Sequence, residues 1–513
     1  MAGELAGVLA GLAGAGGRGA AASALSDEYV RIANLFFTAH AKTVAGIGGA
    51  SLGFTRTANA FGAADTASHP DSPSFAPRQP PSVIFIEPVY EQVPRLGHGG
   101  GGGIDEVLDS LAGDFGDAMM AVMRPLIETA LPSRAVEVMP LPDYLRLDKV
   151  SWAWHKYVMP AGTVANQLTG TVQQVTDTSP GANSDWHEAM LRFSSSLWGT
   201  TAWGQQREGQ RWGHDVPGNG MSRPVLGVLT NTAEQLAMAL RLYAEAAKAV
   251  RDRLRELLRQ AITDALKFID THSGPWDNIK RVSDRIWKII GSASVAIVLN
   301  INVPEVNAAV DRYEEQLQQQ RTTIGNLASA LEEAILSVPT FTSEMSRAES
   351  FGARALVEFN PDYMQQIRAN APPGARRYPI LLASMEGAGG AHTADRHVGL
   401  TPEQLNQRLR DEPKRDSTSS YSSLDAAQRH TQAALDDVQK GREIKRWLTN
   451  RRKDAVHDPT ATFGFNKSMP EVTGTVLVRG TTVPVQVKSV HLTLRYDPAT
   501  NMFVVVSSYP VPP

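Results

Sequence analysis

The chain has 513 residues, 42% hydrophobic and 20% charged, enough to bury more than one core and ordinary for a globular protein. It contains no cysteine, which excludes disulfides, thiolate nucleophiles and cysteine-held metal. The net charge of −3 is unevenly placed: from Gly389 onward 17 Lys+Arg face 13 Asp+Glu, a net of +4, while the preceding 388 residues carry 33 against 40, a net of −7. A basic module behind an acidic body points to a C-terminal end that faces a polyanion.

The opening stretch, "MAGELAGVLAGLAGAGGRGAAAS", is mostly alanine and glycine and places Glu4 where a cleavable signal peptide carries positive charge, so it is not read as one. Residues 1–65 form a helical segment, with "SDEYVRIANLFFTAHAKTVAGI" as an amphipathic helix capped by Ser26. Residues 66–105 read as a Pro/Gly-rich linker. In it "ASHPDSPSFAPRQPPS" and "RLGHGGGGGID" flank a short apolar run, "VIFIEPVYEQV".

Residues 106–370 carry the strongest periodic signal. Leu236, Leu240, Tyr243, Ala247, Val250, Leu254, Leu257 and Ala261 alternate steps of four and three, and so do Val306, Val310, Tyr313, Leu317, Ile324, Leu327 and Leu331 with one break at Gln320. That spacing makes a narrow apolar seam between two long antiparallel helices, with Val282, Ile286, Ile289 and Ile290 packed alongside. The longest apolar run, "KIIGSASVAIVLNINV", is interrupted by polar residues and too short to span a bilayer, so it is assigned to buried core. Ahead of these helices, "SSLWGTTAWGQQREGQRWG" resembles the Trp-X-Gly turn of WXG-type substrates of type VII secretion, with Trp-Gly dipeptides in place of Trp-X-Gly. A hinge at 371–388, with "ANAPPGARRYP" and "MEGAGGAHT", closes the body.

The segment 389–513 concentrates the chemistry. "GGAHTADRHVGL" places His392 and His397 five apart, a poor spacing for one helix face and unlike the i, i+4 pair that a helix offers to zinc. Acid–base work therefore ranks ahead of metal binding. "GLTPEQLNQRLR" is a helix start: Thr401 caps, Pro402 takes the first position, Gln404 completes a capping box, and Leu400 staples onto Leu405. With Leu405 and Leu409 inward, Arg408 sits at the edge of the apolar stripe. In "VKSVHLTLRYDPATNMFVVVSSYP" a turn at Pro498–Thr500 pairs Asp497 with Asn501. It puts Leu492 opposite Val506 and Leu494 opposite Val504 on an apolar face, leaving His491 opposite Ser507, with Tyr509, on the polar face.

"HTADRHVG", the "LNQRL" helix, a helix ending in "IKRWL" and a last strand closing in Ser-Ser-Tyr-Pro together resemble the bacterial RNase A-like toxin domain found at the ends of contact-dependent inhibition and other polymorphic toxins. The resemblance covers about a quarter of the chain. It implies an RNase A-like α+β fold without disulfides, behind a mainly α body built on the long helical hairpin. It carries the catalytic histidine onto His397, the arginine onto Arg408 and the hydroxyl pair onto Ser507 and Tyr509. Ser507 departs from the family, which more often has threonine there, but keeps the hydroxyl. His491 is expected to bind substrate or act as a second acid or base, and His392 to be structural or to touch the substrate's edge.

Cleaving RNA without metal needs a base near pKa 7 for the 2′-hydroxyl, a cation for the phosphorane and an acid for the 5′-oxygen. Histidine and arginine suit the first two. The reading is a secreted polymorphic toxin whose C-terminal ribonuclease leaves 2′,3′-cyclic phosphate ends, with no metal and no cofactor. It would be made in the producer cytoplasm and delivered into a target cell. Its partners would be RNA, a cognate immunity protein and a secretion or injection apparatus, type VII or a contractile injector, without stable membrane insertion. The alternative is a non-enzymatic structural or secretion protein whose tail only binds a partner.

Overall fold

The computed structural model describes residues 1–68, 75–97, 105–175, 205–206, 211–212, 225–273, 301–359, 377–454, 458 and 460–512. Contacts divide the chain into two units. One comprises Met1–Phe37, Tyr90–Thr163 and Leu229–Ser329; the other comprises Thr38–Val89, Val164–Val228 and Ala330–Pro513. Val282, Ile286, Ile289, Ile290, Trp198, Trp203, most of the long apolar run and residues 371–376 of the hinge lie outside the described residues.

The helical part runs α1 (Ala2–Ala10), α2 (Ala20–Ser68), α3 (Asp105–Phe115), α4 (Asp117–Ala130), α5 (Ser133–Glu137) and α6 (Tyr144–Val175), then a short strand pair β1 (Gln205–Gln206) and β2 (Arg211–Trp212). It continues with α7 (Val225–Ser273), α8 (Val303–Gly325), α9 (Ala328–Ser337) and α10 (Phe341–Phe359). Ser26 is not a cap. The alanines ahead of it are the best helix formers, so α2 begins at Ala20, and the buried Ser26 hydroxyl accepts the Leu96 N–H at 2.9 Å instead. Among the described residues, no helix is long and apolar enough to cross a membrane.

In the first unit, Tyr29 and Phe36 lie on one face of α2 and meet Trp154 of α6 edge-on, and the indole donates to the Tyr29 hydroxyl at 3.1 Å. The two periodic seams are buried as expected, Leu236 through Ala261 on α7 and Val306 through Ile324 on α8. Tyr243 stands beside Tyr313 while Arg253 pairs with Glu305. Following α7 forward moves its partner backward along α8, so the pair is antiparallel. The helix carrying the second seam ends at Gly325, and Leu331, on α9, belongs to the other unit.

In the second unit the C-terminal end of α2 lies against α10. Gly49 and Gly53 leave no room for a Cβ against Phe341, Met345 and Ala348, so backbone meets backbone there. The chain then builds the C-terminal module: α11 (Leu382–Met385), α12 (Thr393–His397), α13 (Pro402–Asp411), β3 (Ser417–Ser420), α14 (Leu424–Asp436), α15 (Val438–Arg451), β4 (Thr462–Ser468), β5 (Gly474–Val478), β6 (Val485–Val487), β7 (Ser489–Asp497) and β8 (Met502–Val511). Two antiparallel three-stranded sheets result, ordered β3-β5-β6 and β4-β7-β8. Residues alternate along β7, with Val490, Leu492, Leu494 and Tyr496 buried and His491, Thr493 and Arg495 half-open. The buried face packs with Val398, Tyr421, Leu435, Ile444 and Phe465.

The last hairpin departs from the expected register at two points. The turn is one residue longer, pairing Asp497 with Met502, and a bulge between Thr493 and Leu494 leaves Val506 without a partner. Each event shifts the pairing by one. Residues 507 and 509 therefore keep the expected face, whereas the stretch between turn and bulge is inverted. Leu494 faces Val505, not Val504, and both are fully buried; Leu492 faces Ser508. A bulge costs about one ladder hydrogen bond, ~1 kcal/mol, while burying a Val or Phe side chain contributes about 1.5–3 kcal/mol. Placing both Phe503 and Val505 inward outweighs the lost bond. Ser508 is tolerated in the core because the Tyr421 hydroxyl at 2.7 Å and the Thr431 hydroxyl at 2.8 Å pair with its Oγ.

This register makes a stability prediction. Val505→Ala should destabilise the module by about 2 kcal/mol through cavity formation, and Val504→Ala by less than about 1 kcal/mol. Hydrogen exchange of the β7 and β8 amides in the two variants measures both. The reverse ranking would place Val504 in the core and remove the bulge.

Candidate active site

His397 is the last residue of the five-residue helix α12, too short to hold itself. The buried Glu386 carboxyl group caps it, accepting the N–H groups of Ala394 at 2.9 Å and Asp395 at 3.0 Å. Burial and Asp395 push that carboxyl up to about 8, against the two N–H donors and Arg347, which pull it down. From α10, Arg347 pairs with Asp395 and with Glu344. On the far side, the Tyr421 N–H donates to the His397 carbonyl at 2.7 Å and the Gly399 N–H donates to the Tyr421 carbonyl at 2.9 Å. Gly399 has φ 69°, and a Cβ there would lie 2.9 Å from the Ser343 backbone nitrogen, so only glycine makes this turn.

The capping box forms as read: Thr401 Oγ accepts from the Gln404 N–H at 3.2 Å, and Gln404 Oε accepts from the Thr401 N–H at 3.0 Å. Leu405 and Leu409 pack on Leu477 with Leu400 against them. This orientation buries most of the Arg408 side chain. Its Nε donates to Glu412 at 3.1 Å and its Nη1 to the Arg396 carbonyl at 2.8 Å, while the buried Nη2 has no hydrogen-bond partner among the described residues. One arm of the guanidinium fork is thus unspent.

His397 is 3% exposed, and its Nδ1 lies 3.3 Å from the Ser419 carbonyl. A carbonyl only accepts, so Nδ1 carries the proton and Nε2 keeps the lone pair of the neutral ring. The ring stacks on Tyr509 at 4.8 Å and 18°. Burial first, then Arg408 and His392, push its pKa well below 6.5, so the ring is neutral near pH 7. Burial raises the Tyr509 hydroxyl, keeping it protonated.

The structure brings four rings into a row: His392, His397, Tyr509 and His491, with centroid separations of 6.0, 4.8 and 5.1 Å. His491 stands opposite Tyr509, not Ser507, which faces Thr493. Ser507 is buried on the same face, two residues from Tyr509. Both His491 nitrogens are engaged, Nδ1 with Asn466 Oδ1 at 2.6 Å and Nε2 with Thr493 Oγ at 3.2 Å, and burial lowers its pKa. Gly464 leaves space for this ring, since a Cβ there would lie 3.3 Å from it. Sequence reasoning missed Asn466, the Ser419 carbonyl, Glu386 and Arg347. A backbone carbonyl leaves no signature in residue type; Asn466 and Arg347 come from distant segments, and Glu386, only eight residues before Ala394, lay inside the stretch read as a hinge. Among the described residues, no group of three or more His, Cys, Asp or Glu is placed to hold a metal ion.

Residues 391–510 match the family model described as "Bacterial CdiA-CT RNAse A domain". This segment is a bacterial RNase A-like toxin domain at the C-terminal end of the chain. Among solved structures, the chain is similar to one described as the crystal structure of a CdiA-CT/CdiI complex from Y. kristensenii 33638, with 22% identity over 23% of this chain and 95% of that one, and a TM-score of 0.20. No curated protein matches the chain.

The lowered His397 pKa links stability to pH. The unfolded chain takes up the proton before the folded one does, so stability is complete above about pH 6.5 and is lost as pH falls below it. His397→Asn retains a donor for the Ser419 carbonyl and removes the titrating ring. Chemical denaturation at pH 5 and pH 7.5 should show a smaller stability difference for the variant than for the wild type. An unchanged difference would mean that the folded ring titrates near its ordinary value.

Proposed function

We propose that this protein is a delivered toxin whose C-terminal module, residues 389–513, is a metal-independent ribonuclease. The observation that carries the proposal is the joint placement of a neutral imidazole with a free Nε2 and an arginine with an unpaired Nη2 beside two hydroxyl-bearing strand residues. The family match over 391–510 supports the same reading.

In the proposed reaction, His397 Nε2 takes the proton of a ribose 2′-hydroxyl as the 2′-oxygen attacks phosphorus. The P–O5′ bond breaks, and the 5′-oxygen leaves with a proton, giving a 2′,3′-cyclic phosphate and a free 5′-hydroxyl. Arg408 Nη2 donates to the non-bridging oxygens, whose charge grows in the phosphorane. Glu412 and the Arg396 carbonyl hold the rest of the guanidinium, and a phosphate reaches the buried Nη2 once the groups covering it move aside. Ser507 and Tyr509 orient the phosphate through their hydroxyls, and His491, held by Asn466 and Thr493, contacts the bound RNA. A general base in its neutral form at pH 7 needs no prior deprotonation.

A ribonuclease folded in the cytosol that makes it attacks that cell's own RNA, so a cognate immunity protein covering this face belongs to the proposal. The body, residues 106–370, is assigned to delivery through a secretion or injection apparatus into a target cell.

Two measurements test this. The full-length chain should degrade RNA in EDTA and leave 2′,3′-cyclic phosphate ends, detected by their resistance to phosphatase until acid opens the ring. Activity lost in chelator and restored by magnesium or zinc would refute the metal-free mechanism, and RNA bound but uncut would favour a tail that only binds a partner. His397→Ala should lower cleavage by about 10²–10⁴-fold. Arg408→Lys should lower it by roughly 10- to 100-fold, the worth of one charge-assisted hydrogen bond. If Arg408→Lys cleaves at the wild-type rate, Arg408 does not hold the phosphorane.

A further inference from the structure

The five-residue helix α12 carries His397, and part of what holds it comes from α10, well ahead of the segment 391–510 that matches the family model. Many of the residues that α10 buries are polar: Ser343, Glu344, Ser346, Arg347 and Ser350 are all at most 7% exposed. Apolar side chains would hold a helix in place at least as firmly. Polar burial of this kind points to a requirement for position rather than for adhesion.

Arg347 is the centre of that set. Its Nη1 reaches back one turn to Glu344 Oε2 at 3.4 Å, and its Nη2 reaches across to Asp395 of α12. The i, i+3 pair with Glu344 aims the planar fork at Asp395. Asp395 stands two residues before His397 in the single turn of α12. Its side chain is held by Arg347, and its N–H by Glu386 at 3.0 Å. Burial and Asp395 keep the Glu386 carboxyl up at about 8, mainly uncharged near pH 7. Asp395 and Glu344 are therefore the charged carboxylates that pair with Arg347.

The same helix meets the turn that follows α12. The Thr340 hydroxyl, just ahead of α10, donates to the Gly399 carbonyl at 2.7 Å, and Gly399 fits against the Ser343 backbone with no room for a Cβ. Helix α10 is itself braced by α2, where the Thr57 hydroxyl donates to the Ala348 carbonyl at 3.0 Å and Gly53 lets the helices close.

We propose that Arg347 is a positioning residue for the ribonuclease site, fixing α12 and the His397 ring from outside the family segment. The proposal rests on the ribonuclease reading with His397 as base. Arg347 acts through Asp395: it restricts where that carboxylate stands, and one turn of helix carries the restriction to His397. A base displaced by about 1 Å from the 2′-hydroxyl loses on the order of 10²-fold in rate. The functional nuclease unit then starts ahead of the stretch 371–388, and a fragment beginning within that stretch lacks the clamp.

The test uses the full-length chain. Removing Arg347 alone leaves the buried Glu344 without this cation, which would not separate positioning from unfolding. The combined variant Arg347→Met, Glu344→Gln, Asp395→Asn removes the three charges together and keeps side-chain volumes close. Its kcat on RNA should fall about 10-fold or more with KM within about two-fold of wild type, because Arg408 on α13 is untouched. Hydrogen exchange should quicken at the α12 amides and stay at wild-type rates in β7, which shows that the module is folded. Arg347→Lys, which keeps a charge but not the fork, should have a kcat between wild type and the combined variant. A combined variant with wild-type kcat, or one whose exchange quickens equally in α12 and β7, would overturn the assignment while leaving the ribonuclease reading intact. A wild-type chain that does not cleave RNA would overturn the ribonuclease reading, and this assignment with it.

Discussion

The β7–β8 pairing, with its bulge at Val506, is the constraint on which the rest of the C-terminal module depends. One extra residue in β8 lets Phe503 and Val505 point into the core below the bulge while Ser507 and Tyr509 point to the open face above it. A regular ladder cannot do both, because strand side chains alternate strictly. The same bulge turns the Val506 carbonyl toward the His392 N–H and fixes the start of α12. Bulges recur next to active sites because they re-aim side chains in this way.

From that constraint the electrostatics follow. Tyr509 supplies the flat surface on which the His397 ring lies, and burial there keeps the imidazole neutral and the phenol protonated. Arg408 and Arg415 are cations acting on these rings, and Arg408 is costly to bury with an Nη2 unpaired among the described residues.

The module is not held by its own segment alone. The α12 helix is five residues long, and its Asp395 is gripped by Arg347 of α10, from upstream of the expected hinge. Gln404, besides closing its capping box, donates to the Val338 carbonyl at 2.9 Å, and the Thr340 hydroxyl donates to the Gly399 carbonyl at 2.7 Å. These bonds fall on the two turns that aim His397 and Arg408. Positioning of the site therefore reaches back to residues 338–347 of the same unit.

Sequence alone determined whatever depends on neighbours along the chain. The α7 and α8 seams, the capping box with its staple, and the alternation of β7 are all set by residues within a turn or two of one another, and each appears in the structure. The motif pieces around His397, Arg408, Ser507 and Tyr509 were picked out through the family resemblance, not through local physics. What only the tertiary structure decided is the register of β8, since turn length and a bulge each move it by one residue, and pattern alone does not fix two compensating shifts. Tertiary structure also decided which histidine nitrogens are free, because the partners are carbonyls of Ser419 and Gly390, an amide on β4 and a hydroxyl on β7. Backbone groups are identical in every sequence, so a site tuned by them becomes visible only when the chain is folded.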